Sequence, residues 1–66
     1  MIINCIWEHN GNDTLLHIEN FNGAFTRGES LDIAISKVAD EISDYCEWAN
    51  INLPEEIVIQ IIEDYL

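Results

Sequence analysis

One run of residues constrains this chain more than any other. From His17 to Ile42 it reads H-I-E-N-F-N-G-A-F-T-R-G-E-S-L-D-I-A-I-S-K-V-A-D-E-I, an apolar strand joined to a long amphipathic segment through Gly23 and Gly28. Ser30 stands at the junction as a helix N-cap. Its hydroxyl can accept from the N–H of Asp32 or Ile33, and Asp32 puts negative charge in the first turn. Beyond it Leu31, Ile35, Val38, Ile42, Tyr45 and Ala49 recur at alternating steps of four and three, with Ala34 and Cys46 widening the stripe. The spacing predicts a helix from Leu31 to about Asn50, roughly 30 Å long at 1.5 Å per residue. Pro54 separates it from the C-terminal segment. A helix with one apolar stripe needs a flat surface to lay it on, and the flanking segments read as strands.

Ile2 to Glu8 is rich in β-branched and aromatic residues, with Ile2, Asn4 and Ile6 on one face and Ile3, Cys5 and Trp7 on the other. His9 to Asp13 contains an Asn-Gly pair, a hairpin signal. Thr14 to Glu19 returns with Leu16 and Ile18 on one face and Leu15 and His17 on the other. Asn20 to Gly23 makes a second turn, and Ala24 to Gly28 a short third strand, which completes an antiparallel meander. Glu55 to Leu66 is open to two readings: its acidic start after Pro54 suits a helix, while Ile57 to Ile62, five of six residues β-branched, favours a strand. We take it as a strand, and its two apolar faces then imply an interior position or cover from another subunit. The expected architecture is α+β, a single β-β-β-α-β domain over residues 1–66, with the helix stripe packed on Leu16 and Ile18.

At 66 residues the chain is one small domain, and a sheet covered on one face by one helix gains from a partner on the other. Ile2, Ile6 and Leu15 fall on the uncovered face, so a homodimer or higher oligomer is expected. Arg27 and Lys37 are the only strong bases against thirteen acidic residues, a formal charge of −11. That argues against direct nucleic-acid binding, where Lys and Arg neutralise phosphates. The same field would draw in a basic protein. The start, M-I-I-N-C-I-W-E, lacks the basic region of a signal peptide, and no run approaches the roughly 20 apolar residues of a membrane span. No membrane association and a cytoplasmic location are expected, with Cys5 and Cys46 reduced and acting as small apolar fillers.

Catalytic readings find little to stand on. Ser30 is explained as a cap, Ser36 and Ser43 fall on the helix, and neither His9 nor His17 lies in a recognisable motif with a nucleophile. Cys5, His9 and His17 lack the spacing of a metal site. Asp40, Glu41, Asp44 and Glu47 follow steps of three and four on the polar side of the helix, the pattern of a solvated face. No catalytic, metal or cofactor site is expected. The aromatics Trp7, Phe21, Phe25, Tyr45, Trp48 and Tyr65 are many for one small core. They either all fill it or leave two or three for an interface, where Trp and Tyr are enriched.

The order strand, strand, F-x-G-x-F-T-x-G, Ser cap, long helix, Pro, strand resembles the N-terminal domain of HicB-like antitoxins. That family shows a polar or acidic residue, an apolar residue, Pro-Gly, then Thr or Ser, Gly, and a helix opening on Ser or Thr with an acidic residue and Ala inside. Asn20-Phe21-Asn22-Gly23, Thr26, Gly28, Ser30, Asp32 and Ala34 occupy those places, with Asn22 where Pro is usual and Ala24 where Cys is common. The match covers about Thr14 to Ile42, and the flanking strands in outline. It implies a truncated ribonuclease H-like fold of three to four strands, order 3-2-1-4, with one helix on one face. A right-handed crossover through the helix would lay the last strand parallel to the first.

True ribonuclease H folds hold catalytic carboxylates on the first strand, the helix and the fourth strand. Here the middle of the first strand offers Cys5 and Ile6, and that of the last offers Ile59 and Gln60. The resemblance therefore implies a non-catalytic module that binds and neutralises a small basic ribonuclease toxin of the HicA kind. Family members often carry a C-terminal DNA-binding segment, which the sequence to Leu66 does not include. The alternative is a stand-alone oligomerisation or scaffold domain with no toxin. The residues expected to contact a protein partner are Glu19, Asn20 and Phe21, at a strand-to-turn corner expected to be exposed, and then Glu47 and Trp48 near the helix end.

Overall fold

The computed structural model describes residues 1–63, so the aromatic Tyr65 and the terminal Leu66 lie outside the described residues. Strand β1 (Ile2–Asn10) turns through Gly11 and Asn12 into β2 (Asp13–Ile18), with Gly11 at φ 65°, where glycine carries no steric penalty. Next come β3 (Phe25–Gly28), α1 (Leu31–Ser36), α2 (Val38–Ala49) and β4 (Val58–Glu63). The sheet has order β3-β2-β1-β4, antiparallel except for β4, which runs parallel to β1. The α+β class, the β-β-β-α-β order and the expected sheet order are thus present. Strand ends differ from the expected ones by one or two residues. β4 is an edge strand rather than an interior one, because among the described residues it pairs with β1 alone.

The helix-facing side of the sheet carries Ile3, Cys5, Leu16 and Ile18, all buried, together with Ala24. Against them lie Ala34, Val38, Ile42 and Cys46, each four residues from the last. All four belong to the expected stripe, with Ala34 and Cys46, expected to widen it, as buried as Val38 and Ile42. Leu31, Ile35 and Tyr45 form its half-buried flanks. Small residues at Ala34 and Cys46 let the helical segment come close to the sheet, and Gly28 does the same from below. A Cβ at Gly28 would stand 2.7 Å from Ile33 Cγ2 and 2.9 Å from the Ala34 nitrogen. The thiol of Cys5 is fully buried, and desolvation pushes its pKa up from the ordinary value, which suits a filler and not a nucleophile.

The expected single helix is bent at Lys37. The Ser30 hydroxyl caps α1 as anticipated, accepting from the Ile33 N–H at 3.3 Å. Seven residues on, side chains intrude on the backbone ladder. The buried Thr26 hydroxyl donates to the Ala34 carbonyl at 2.9 Å, which also takes the Lys37 N–H at 3.2 Å in a tight i to i+3 bond. The Ser36 hydroxyl donates to the Ile33 carbonyl at 2.6 Å. Polar side chains inserted in this way bend helices. Lys37 Nζ fixes the bend to the sheet by donating to the Arg27 carbonyl at 2.8 Å. Thr26→Val keeps the shape but removes the buried donor, and should cost about 1 kcal/mol, or roughly 4–8 °C in melting temperature for a domain this small. Thermal melts followed by circular dichroism check it.

Candidate protein-binding surface

The segment between β2 and β3 is a closed loop. Ile18 N–H donates to the Ala24 carbonyl at 3.0 Å, Phe21 N–H to Ile18 at 3.2 Å and Ala24 N–H to Phe21 at 3.0 Å, with Gly23 at φ 87°. Glu19, one residue past β2, extends the ladder: its N–H donates to the Asn4 carbonyl at 2.8 Å, while its side chain is exposed. Asn20 then continues the ladder with its side chain. Its Oδ1 accepts from the Asn4 N–H at 2.9 Å, and its Nδ2 donates to the Ile2 carbonyl at 3.1 Å. The carboxamide stands in for a peptide group that β2 no longer supplies. Asn20 is exposed, but its polar atoms are committed to β1. Nothing in its sequence position distinguishes this role from an ordinary turn asparagine.

Phe21 is where the expectation fails. A strand-to-turn corner points to exposure, yet Phe21 is only 8% exposed and belongs to the core. The tight loop turns its side chain inward, where the ring lies 5.0 Å from Tyr45, centroid to centroid, at 40°. Tyr45 in turn lies 5.8 Å from Trp48 at 56°. Both spacings fall in the range of favourable tilted aromatic pairs. Phe21, Tyr45 and Trp48 thus form one row leading from core to surface, and Trp48 at its end is 81% exposed. The two regions expected separately from sequence, the Glu19 corner and the Glu47–Trp48 end of α2, are brought to the two ends of this row. Tyr45 is the link absent from the expected set, although its place three residues before Trp48 on the stripe is a signal.

The chain beyond Trp48 extends the apolar surface. Asn50 adopts the left-handed conformation at φ 55°, ψ 46°, and Ile51 N–H closes back on the Cys46 carbonyl at 3.0 Å, a Schellman-type end. Ile51 and Leu53 are both about half exposed. Carboxylates border this patch: Asp44, one turn before Trp48, and Glu47 are both exposed. Among the described residues neither has a cationic partner. Arg27 is paired with Asp13, and Lys37 is held on the Arg27 carbonyl. The negative field over α2 is therefore left unneutralised by the described residues.

The histidines are bound to carboxylates. His17 Nε2 lies 2.7 Å from Glu8 and His9 Nε2 3.3 Å from Glu63, while Ser30 and Ser36 bond to backbone. Among the described residues no group of three or more His, Cys, Asp or Glu side chains converges as metal ligands, and no ligand-sized cavity is present. No helix among them is long and apolar enough to cross a membrane. The far face of the sheet presents Ile2, Phe25, Val58 and Ile62 as exposed apolar residues, with Ile6 and Leu15 half-buried between them. Comparison with protein-family models, with curated proteins and with solved structures finds no match to this chain.

Proposed function

We propose that the chain is a non-catalytic protein-binding domain of the HicB-like antitoxin type, which neutralises a small basic ribonuclease toxin by covering its nucleic-acid surface. The observation that carries this reading is Trp48, almost fully exposed at the end of an aromatic row and flanked by Asp44 and Glu47, carboxylates with no cation among the described residues. A solvent-exposed indole seldom stabilises a fold, but it is the residue type most often found at interface hot spots. Its ring face can also take the Lys or Arg of a basic partner, worth about 0.5–2 kcal/mol by cation–π attraction. The carboxylates steer such a partner in, and their effect fades as salt rises. The sheet order that the antitoxin resemblance implies supports the same reading. A domain of this type works in the cytoplasm with reduced thiols.

Two variants test it against a HicA-type toxin. Trp48→Ala should weaken binding about thirtyfold or more, the effect of losing a hot-spot side chain worth about 2 kcal/mol. Glu19→Lys should weaken it less and mainly through slower association. Both residues are exposed, so melting should stay nearly unchanged in each. Wild-type association should slow between low and high salt. A second reading, an oligomerisation or scaffold domain, is favoured by the apolar far face of the sheet. A short basic reading frame beside the gene, and a small basic protein retained on the immobilised domain at low salt, would favour the toxin pairing. If neither is found, the scaffold reading stands.

A further inference from the structure

The geometry points to β4 as a self-pairing edge, through which two copies of the chain join their sheets into one across a two-fold axis. β4 ends the sheet on one side, and the run Ile57 to Ile62 holds no charge, no proline and no glycine in a chain of net charge −11. Natural edge strands are usually blunted by a charged side chain, a proline, a bulge or short length. The other edge, β3, follows that rule, with four residues that include Arg27 and Gly28. β4 has six residues and no such device before Glu63.

The register makes the second copy the natural occupant. Val58 N–H donates to the Met1 carbonyl at 3.0 Å, so Val58 turns its peptide groups toward β1. Alternation along the strand then turns those of Gln60 and Ile62 toward β1, and those of Ile59 and Ile61 outward. An antiparallel partner must pair outward-facing residues with each other. With Gln60 on the two-fold axis, Ile59 of each copy faces Ile61 of the other in hydrogen-bonded pairs. Val58 faces Ile62 and Gln60 faces Gln60 in the non-hydrogen-bonded positions between them. Every apolar residue from Val58 to Ile62 then meets an apolar residue on the same face of the sheet, and the one mismatch, Ile57 opposite Glu63, falls at the strand end. Val58 and Ile62, 52% and 38% exposed, come together on the face away from the helix. Moving the axis to Ile61 would set Ile59 against Glu63 and Gln60 against Ile62, and moving it to Ile59 would set Val58 against Gln60. The acidic residues of α2 lie on the far side of the helix stripe and are not buried by the contact. An isologous contact of this kind closes as a dimer.

Light scattering at about 50 μM should give twice the 7.6 kDa chain mass; the monomer mass would overturn the proposal. The register is tested by cysteine substitution, since Cys5 and Cys46 are buried. Residues opposed in a non-hydrogen-bonded pair have Cα atoms about 4.5 Å apart, within disulfide range. Gln60 is exposed, so Gln60→Cys leaves the core intact. Under oxidised glutathione, which takes up the two electrons, Gln60→Cys should form the interchain disulfide rapidly. Ile62→Cys should not, because its two copies would lie roughly 14 Å apart along the paired strands. A dimer in which Gln60→Cys stays uncrosslinked, or in which Ile62→Cys links equally well, would place the contact elsewhere and overturn the pairing. These readouts need no toxin and are separate from the test of the binding surface.

Discussion

Val38→Asp should leave the domain unfolded. Val38 is fully buried at the centre of the helical stripe, among Ile3, Cys5, Leu16 and Ile42 in one core cluster. A carboxylate there would lose its hydration with no cation to meet it, since Arg27 and Lys37 are both engaged at the surface. An uncompensated buried charge costs several kcal/mol, and losing the valine side chain removes about 1.5–3 kcal/mol more of apolar burial. Native proteins hold only about 5–15 kcal/mol in all, and small domains sit at the low end. The expected result is loss of the cooperative thermal transition and of dispersed amide resonances. A folded Val38→Asp protein with unchanged melting would mean that the helix does not lie on the sheet as described.

Phe21→Ala should cost about 3 kcal/mol, far more than an exposed corner residue could. The ring is buried against Tyr45 and closes the end of the core beneath the β2–β3 loop. Its loss would also remove the support under Tyr45, and through it that of Trp48. Any fall in partner affinity in this variant would therefore come with a fall of roughly 12 °C or more in melting temperature, at about 4 °C per kcal/mol. Trp48→Ala, by contrast, should leave melting nearly unchanged, so that any loss of affinity in it is separate from folding. Chemical denaturation of the two variants side by side checks the difference. Equal stability of Phe21→Ala and wild type would return Phe21 to the surface.

These two residues also show how far the sequence can be read. Val38 is legible because the stripe from Leu31 to Ala49 repeats at helical spacing, and a repeat can point only one way once a sheet is present. The meander of the first three strands is legible from its turn signals, whereas the place of the last strand beside the first is expected only from the HicB-like resemblance, with the crossover rule making the two parallel. Phe21 is not, because a loop position has no period to indicate inside from outside. Its burial is decided by the hydrogen bonds that close Ile18 to Ala24, which depend on chain geometry more than on residue type. The bend at Lys37 is hidden for a related reason. Thr26 and Ala34 meet only in three dimensions, and a threonine on a strand gives no notice that its hydroxyl will enter a helix. The aromatic row is half visible: Tyr45 and Trp48 share a helix face, but their connection to Phe21 crosses between elements.

The Asn20 carboxamide has a consequence for local motion. Between Ile2 and Asn4, β1 is held on its β2 side by one backbone bond from Glu19 and by the two bonds of a single side chain. Peptide groups in a ladder come apart only as strands unzip, residue after residue, whereas a side chain can let go by turning about its own torsions. The start of β1 can thus open to solvent on that side while the rest of the sheet stays closed, a sub-global event well below the free energy of unfolding. Because Ile2 and Asn4 pair with Val58 and Gln60 on their other side, the same small rotation sets how firmly the outer strand is backed. One fastening of the sheet is thereby governed by a torsion angle in a loop.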